Sequence, residues 1–307
     1  MEQDMKNKLW QDRKLWAGLN RPELNTRNVD VVIFGIPYDG SVSFRSGAKE
    51  APDELRKISY TISPTTEDFN SFKDLKIKDI GNVIEDSRDA VFNKATKLTE
   101  KLIKENSFFI MIGGDHSVTI PVQRGIDSAV DDHFGIIHID AHFDLCNNLG
   151  GDRFSHASTE RRAIELNNIK GIEDIFFLGV RSIESDELDF FNENDVQVLS
   201  AKEIAKAGAN PAVKKVKKQL GHLKHIYLTI DIDCLDPAYA AGTGTPQFGG
   251  LTSRELLTIL EGLFELPIVG MDIVEVAPCL DPSLTALFAA RKIITEVCGF
   301  LSKKKAD

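Results

Sequence analysis

The sequence predicts an α/β protein, a three-layer α/β/α sandwich around a mostly parallel central sheet. Three observations carry this. Short apolar runs alternate with amphipathic helical patterns along the chain, an order that favours parallel strands with helices on both faces. Runs such as Gly135-Ile136-Ile137-His138-Ile139 and Ile226-Tyr227-Leu228-Thr229-Ile230 are apolar almost throughout, as in strands buried on both sides. No linker, composition break or internal repeat interrupts the 307 residues. One domain spanning 1–307 is therefore expected.

Val31-Val32-Ile33-Phe34-Gly35 reads as the first strand. A loop rich in Gly and Ser leads to a helix over Ala51–Ile58, with Pro52 near its start, where its missing N–H is harmless. A strand near Leu75–Ile80 precedes an amphipathic helix over Arg88–Lys104. Then follow a strand ending at Ile112, a helix from Val118, a strand ending at Asp140, a helix around Thr159–Glu165 and a strand over Ile175–Gly179. Val196–Leu199, a helix near Pro211–Leu220 and a strand ending at Asp231 come next. A helix over Ser253–Leu263, a strand over Ile268–Val276 and a helix from Ser283 to Leu301 complete the order.

The net charge of −10 argues against nucleic acid, whose phosphates require a basic face. It is compatible with a cationic substrate. Lys214-Lys215-Val216-Lys217-Lys218 reads as the solvated face of a helix whose other side carries Val213, Val216 and Leu220, and Lys303-Lys304-Lys305 as a terminal tail. Met1–Trp10 lacks the apolar core of a secretory signal, and no stretch is long and apolar enough to span a bilayer. The four cysteines form no CxxC pair, which fits a reducing compartment, so a cytoplasmic protein is expected. Cys146 and Cys234 read as small buried hydrophobes.

Three short segments carry the chemistry: Gly113-Gly114-Asp115-His116-Ser117, Asp140-Ala141-His142-Phe143-Asp144 and Asp231-Ile232-Asp233. Each lies at or just beyond the end of an apolar run, and ligands of open α/β sheets gather outside the carboxyl ends of the strands. Carboxylates with a minority of imidazoles suit a hard to borderline divalent ion such as manganese. Should the chain stay extended past Ile139, positions 140, 142 and 144 share one face. Any one segment alone reads equally well as a surface charge or capped turn. Asp115 can cap the following helix or orient His116. His138 reads as a packed or supporting histidine, and His133, His222 and His225 carry no assignment.

With these residues in this order, the chain resembles the ureohydrolases, the arginase and agmatinase superfamily. The resemblance covers most of the chain and extends to Leu235–Pro246 and to Gly249-Gly250-Leu251-Thr252, with Ala241 standing where the family usually has proline. It implies two Mn²⁺ ions per subunit, with Co²⁺ or Ni²⁺ as substitutes, held by His116, Asp140, His142, Asp144, Asp231 and Asp233. It implies that a hydroxide bridging the ions, aimed by Asp144, attacks a guanidinium carbon. Glu275 would orient the guanidinium, an internal salt bridge to an arginine being the other reading of that carboxylate. His156 would handle the proton of the departing amine. The stretches Gly35–Ala48 and His156–Ala163 look like the agmatinase branch, whose members release putrescine and urea from agmatine. Asn147 and Asn148 stand where a substrate tail would be met. Arginase, guanidinobutyrase or formiminoglutamase activity remains the alternative on the same scaffold, as does a catalytically silent metal-binding member. A homo-oligomer, trimer or hexamer, is also implied.

Overall fold

The computed structural model describes residues 9–306. Eight strands form one sheet: β1 (Val31–Gly35), β2 (Ile77–Asn82), β3 (Phe109–Ile112), β4 (Gly135–Ile139), β5 (Ile175–Leu178), β6 (Gln197–Leu199), β7 (Ile226–Asp231) and β8 (Ile268–Val274). Their order is β2-β1-β3-β8-β7-β4-β5-β6, and every pairing between them is parallel. The sheet is thus wholly rather than mostly parallel. All strands end at the same edge.

Strand alternation sorts the side chains into two cores. Val31, Ile33, Ile110, Ile112, Ile137 and Ile139 pack on one face, against helices α1 (Ala51–Ser59), α6 (Ala201–Ala207), α7 (Ala209–Leu220), α8 (Ser253–Leu263) and α9 (Thr285–Ala306). Val32, Phe34, Phe109, Met111 and Ile136 pack on the other, against α2 (Arg88–Lys104), α3 (Thr119–Asp127) and α4 (Thr159–Ala163). Period-two alternation with both sides apolar is what covers the sheet twice and gives three layers.

The sequence reading missed helices α5 (Ser185–Glu193) and α6, and the single turn Leu15–Gly18. Helices α5 and α6 both begin with a capping box, Glu184 with Glu187 and Ser200 with Glu203, in which side chain and backbone exchange hydrogen bonds. The basic run Lys303–Lys305 is the last turn of α9 rather than a tail: Lys304 Nζ donates to the Leu266 carbonyl at 2.9 Å, and Lys305 pairs with Asp30 at 2.7 Å. The lysines of α7 do lie opposite its buried Val213, Val216 and Leu220. No described helix is long and apolar enough to cross a membrane. Residues 1–8, part of the stretch examined for a leader, lie outside the described residues.

Four adjacent strands aim at one place. Ile112 of β3, Ile273 of β8, Ile230 of β7 and Ile139 of β4 form a level row across the sheet. One step beyond it stand Gly113, Val274, Asp231 and Asp140.

Candidate metal centre

After β3 the chain turns through Gly113 and Gly114. A Cβ on Gly114 would stand 1.8 Å from the Tyr38 carbonyl oxygen, so only glycine fits there. Asp115 then caps the short turn His116–Val118: its Oδ1 accepts the Ser117 N–H at 3.0 Å and its Oδ2 accepts the Ser41 N–H at 2.8 Å. It holds the turn that carries His116, not the ring.

The ring is set by a chain of three residues. Thr229 donates its hydroxyl to Asp272 Oδ1 at 2.7 Å, so it can only accept from His116 Nε2, 2.9 Å away. That leaves His116 Nδ1 with its lone pair. Asp272 is fixed in turn by Thr119 at 2.7 Å and Tyr227 at 2.5 Å. Burial pushes its carboxyl up, while the His116 charge and the three hydroxyls pull it down, leaving it raised.

His116 Nδ1 faces Asp140 Oδ2 at 3.0 Å, Asp144 Oδ2 at 2.9 Å and Asp231 Oδ2 at 3.5 Å. His142 Nδ1 lies 3.3 Å from Asp140 Oδ1 and 3.2 Å from Asp233 Oδ2. Asp140 therefore links the His116 and His142 rings, with His138 Nε2 also 3.1 Å from its Oδ2. Asp140 and Asp231 share one local device: each uses Oδ1 to accept the N–H two residues on, at 2.7 Å from His142 and 2.8 Å from Asp233. Their Oδ2 atoms remain for the centre.

All six predicted ligands thus come together, but not by simple alternation. Strand β4 ends at Ile139, and Asp144 has φ of +53°. The chain after Asp140 coils back instead of staying extended, because Asp144 is gripped on both sides. Its carbonyl accepts the Glu160 and Arg161 N–H groups of α4 at 3.0 and 3.1 Å, and the next N–H, of Leu145, donates to Glu187 of α5 at 2.7 Å. Burial and then the Asp144 charge push Glu187 up to about 7.

Four buried atoms here lack any hydrogen-bond partner: His116 Nδ1, Asp140 Oδ2, Asp144 Oδ2 and Asp233 Oδ2. Stranded lone pairs of this kind are costly unless a cation collects them. Burial opposes charging His116 and His142, yet the surrounding carboxylates raise both above the ordinary histidine range. A field that draws protons so strongly also draws a divalent ion. Two groups of donors lie within 4.8 Å of one another: His116, His138, Asp140 and Asp144, and Asp140, His142 and Asp233. His138 joins the first through Asp140: its Nε2 lies 3.1 Å from Asp140 Oδ2 and 3.2 Å from the His142 carbonyl, and its Nδ1 meets Glu160 Oε1 at 3.1 Å, while its ring stacks on His116 with centroids 5.1 Å apart. It supports the ligands from behind.

At the rim, Glu275 follows β8 with φ of +60°. Its Oε1 accepts the His116 N–H at 2.9 Å and faces His156 Nδ1 at 3.1 Å. Among the described residues it pairs with no arginine, so the internal Arg salt bridge is not formed, and its Oε2 takes no hydrogen bond. Ser43 donates its N–H to His156 Nε2 at 3.0 Å, which makes Nδ1 the protonated nitrogen of the neutral ring. Burial disfavours a second proton, but the bond to Glu275 and the charges of Glu275 and Asp144 push the imidazole up to about 9.

Asn147 and Asn148 are exposed, and Asn147 Oδ1 accepts from Arg162 at 3.2 Å. Leu145, Cys146 and Cys234 are buried, the two cysteines as expected. Thr229, Asp272, Glu160 and Glu187 were given no part by the sequence reading. A polar residue inside an apolar strand, Thr229 or Asp272, was the available signal.

The sequence profile of the arginase family matches residues 29–299. An agmatinase of Neisseria meningitidis serogroup A is 37% identical over 290 residues, covering 91% of this chain and 89% of the relative. Among solved structures, the proclavaminate amidino hydrolase of Streptomyces clavuligerus superposes with a TM-score of 0.85 at 30% identity, over 94% of this chain and 97% of that one. A hypothetical agmatinase of Burkholderia thailandensis does so with a TM-score of 0.83 at 28% identity, over 94% and 90%. The chain belongs to the arginase family, whose members are binuclear metal enzymes.

Proposed function

We propose that this chain hydrolyses agmatine to putrescine and urea, using two divalent ions held by His116, Asp140, His142, Asp144, Asp231 and Asp233. The gathering of four partnerless buried atoms, Asp140 Oδ2 among them, around His116 and His142 is the observation that carries it. The oxygen-rich donor set suits Mn²⁺, with Co²⁺ or Ni²⁺ as substitutes. Such ions, when bound, supply Lewis acidity and bring the pKa of water toward neutrality.

The protein residues do the rest. Glu275 Oε2, free of protein hydrogen bonds, accepts from the planar guanidinium and fixes its orientation. Asp144, held in its strained conformation from both flanks, keeps a carboxylate oxygen aimed at the attacking water. His156, charged beside the Glu275 carboxylate, stores a proton near neutral pH and gives it directly to the departing amine. A catalytically silent member would need neither the His156–Glu275 pair nor the open Oε2.

Substrate choice follows from the tail. Arginine brings a carboxylate, and the segment after Asp144 offers two buried apolar residues, an asparagine already engaged by Arg162, and exposed Asn148. Agmatine brings only an apolar chain and an ammonium, and the curated relatives are agmatinases. A charge desolvated without partners is costly. The test is a panel of agmatine, arginine and guanidinobutyrate with Mn²⁺, measuring urea and amine together. The expected result is a kcat/KM for agmatine far above that for arginine, with putrescine formed in step with urea. The likeness to an amidino hydrolase of another substrate gives the second reading. Turnover of another guanidino compound with agmatine untouched would keep the chemistry and replace the substrate. We further propose a cytoplasmic homo-oligomer, built from one domain per subunit.

A further inference from the structure

We infer that Arg181 is a positioning residue that holds the His142 and Asp233 half of the metal centre. The inference rests on the two-ion reading above. Arg181 follows β5, and both Nη groups of its half-buried guanidinium donate to main-chain carbonyls, Nε having no partner. Nη2 donates to Asp233 at 2.7 Å, to Gln247 at 2.7 Å and to Leu235 at 3.3 Å, and Nη1 to Gly179 at 3.2 Å and Cys234 at 3.3 Å.

The backbone of the same residue reaches the other ligand segment. The N–H groups of Arg181 and Ser182 donate to the Ala141 carbonyl at 2.8 and 3.0 Å, and the Ala141 N–H donates to Asp233 Oδ1 at 3.2 Å. Gln247, whose carbonyl Arg181 holds, places its side-chain amide 3.4 Å from His142 Nε2. One residue therefore ties together the segment carrying Asp140 and His142, the turn carrying Asp231 and Asp233, and the loop that touches His142. A Cβ on Gly250 would stand 2.7 Å from Nη2, so the chain beside the guanidinium has no room for a side chain.

The other half of the centre is held without Arg181. His116 rests on Thr229 and Asp272, and Asp144 on Glu187 and the first turn of α4. The fork geometry is what gathers several carbonyls at once; a lysine ammonium, a point charge on a flexible stem, cannot replace it. Supporting contacts behind metal ligands change affinity by about 10- to 100-fold. The loss on substitution of Arg181 should fall on one ion only.

The experiment is Mn²⁺ binding to the full chain, stripped of metal, by equilibrium dialysis without substrate. Two ions are expected to bind the wild type. In Arg181→Lys, one ion should keep its affinity and the other lose about 10- to 100-fold, with the circular dichroism of the metal-free chain unchanged. Arg181→Ala should show the same asymmetry more strongly; if it fails to fold, Arg181→Lys carries the test. Equal weakening of both ions, or two ions bound with wild-type affinity in Arg181→Lys, overturns the inference and leaves the functional reading standing. A wild type that binds fewer than two ions overturns both.

Discussion

His156 draws its character from the carboxylate of Glu275 on Nδ1 and from Ser43 on Nε2, whose N–H serves the neutral ring and whose hydroxyl, 2.9 Å away, can accept from the charged one. Its pKa is raised from 6.5 to about 9, so the protonated ring is favoured across neutral pH and is lost as pH rises through about 9. His156→Ala should keep its metal and lose about 10²- to 10⁴-fold in kcat, the usual contribution of a positioned acid or base. The fall in rate on the alkaline side near pH 9 should disappear with it. A pH–rate profile of unchanged shape in the variant would remove His156 from the proton path. At this scale the residues that gather at the centre were legible because their segments each follow an apolar run, a contrast that burial makes informative. What holds them was not. Asp144 and Glu275 both have positive φ, a strained region for residues with a Cβ, and nothing in the identity of an aspartate or glutamate announces it. Nor does the chemistry of Thr229 reveal that its hydroxyl decides which nitrogen of His116 is left bare.

Elements show the same division. Helices α2 and α8 matched their sequence boundaries because apolar periodicity and side-chain caps at Ser87 and Thr252 agree there. Helix α5 escaped because Ser185-Asp186-Glu187-Leu188-Asp189 shows no clear apolar face, although its capping box was open to reading. Helix α9 has a different start. Asp281 Oδ2 accepts from the Thr285 hydroxyl at 2.7 Å and the Ala286 N–H at 3.0 Å, and Oδ1 from the Ser283 N–H at 3.1 Å. Burial alone would raise this carboxyl; the hydroxyls of Ser283 and Thr285 and the two N–H groups outweigh it and hold it at about 2. A depressed pKa contributes stability that is present above the unfolded value near 4 and is lost as pH falls toward 2. Asp281→Ala should therefore cost about 0.5–2 kcal/mol at neutral pH, read from denaturant unfolding, and the cost should shrink in acid. A difference independent of pH would mean that the carboxylate charge plays no part at this cap.

For the whole molecule, the alternation of runs revealed the layers, since each strand carries apolar residues to both faces. Strand order was beyond reach: periodicity names strands but not neighbours, and long crossovers leave several orders open. The four carboxylates gathered at one sheet edge also make the folded state dependent on what it binds. Any ligand that binds only the native state stabilises it, by about 2.7 kcal/mol at one hundred times its Kd. Chelation should lower the calorimetric Tm by several degrees, and Mn²⁺ should restore it in proportion to the logarithm of its concentration. A Tm indifferent to both treatments would be incompatible with a centre that neutralises these carboxylates.

Strand β8, the last in sequence, lies between β3 and β7 in the middle of the sheet. During synthesis the interior of the sheet is therefore filled after both of its flanks. A nascent chain that has not yet reached Ile268 carries two half-sheets, β2-β1-β3 and β7-β4-β5-β6, each with an open edge available for wrong pairing. His116 travels with the first, Asp140 and Asp231 with the second. The residues around Asp140, His142 and Asp233, on adjacent β4 and β7, can meet early, but His116 joins them only when the strand that closes the gap has been made.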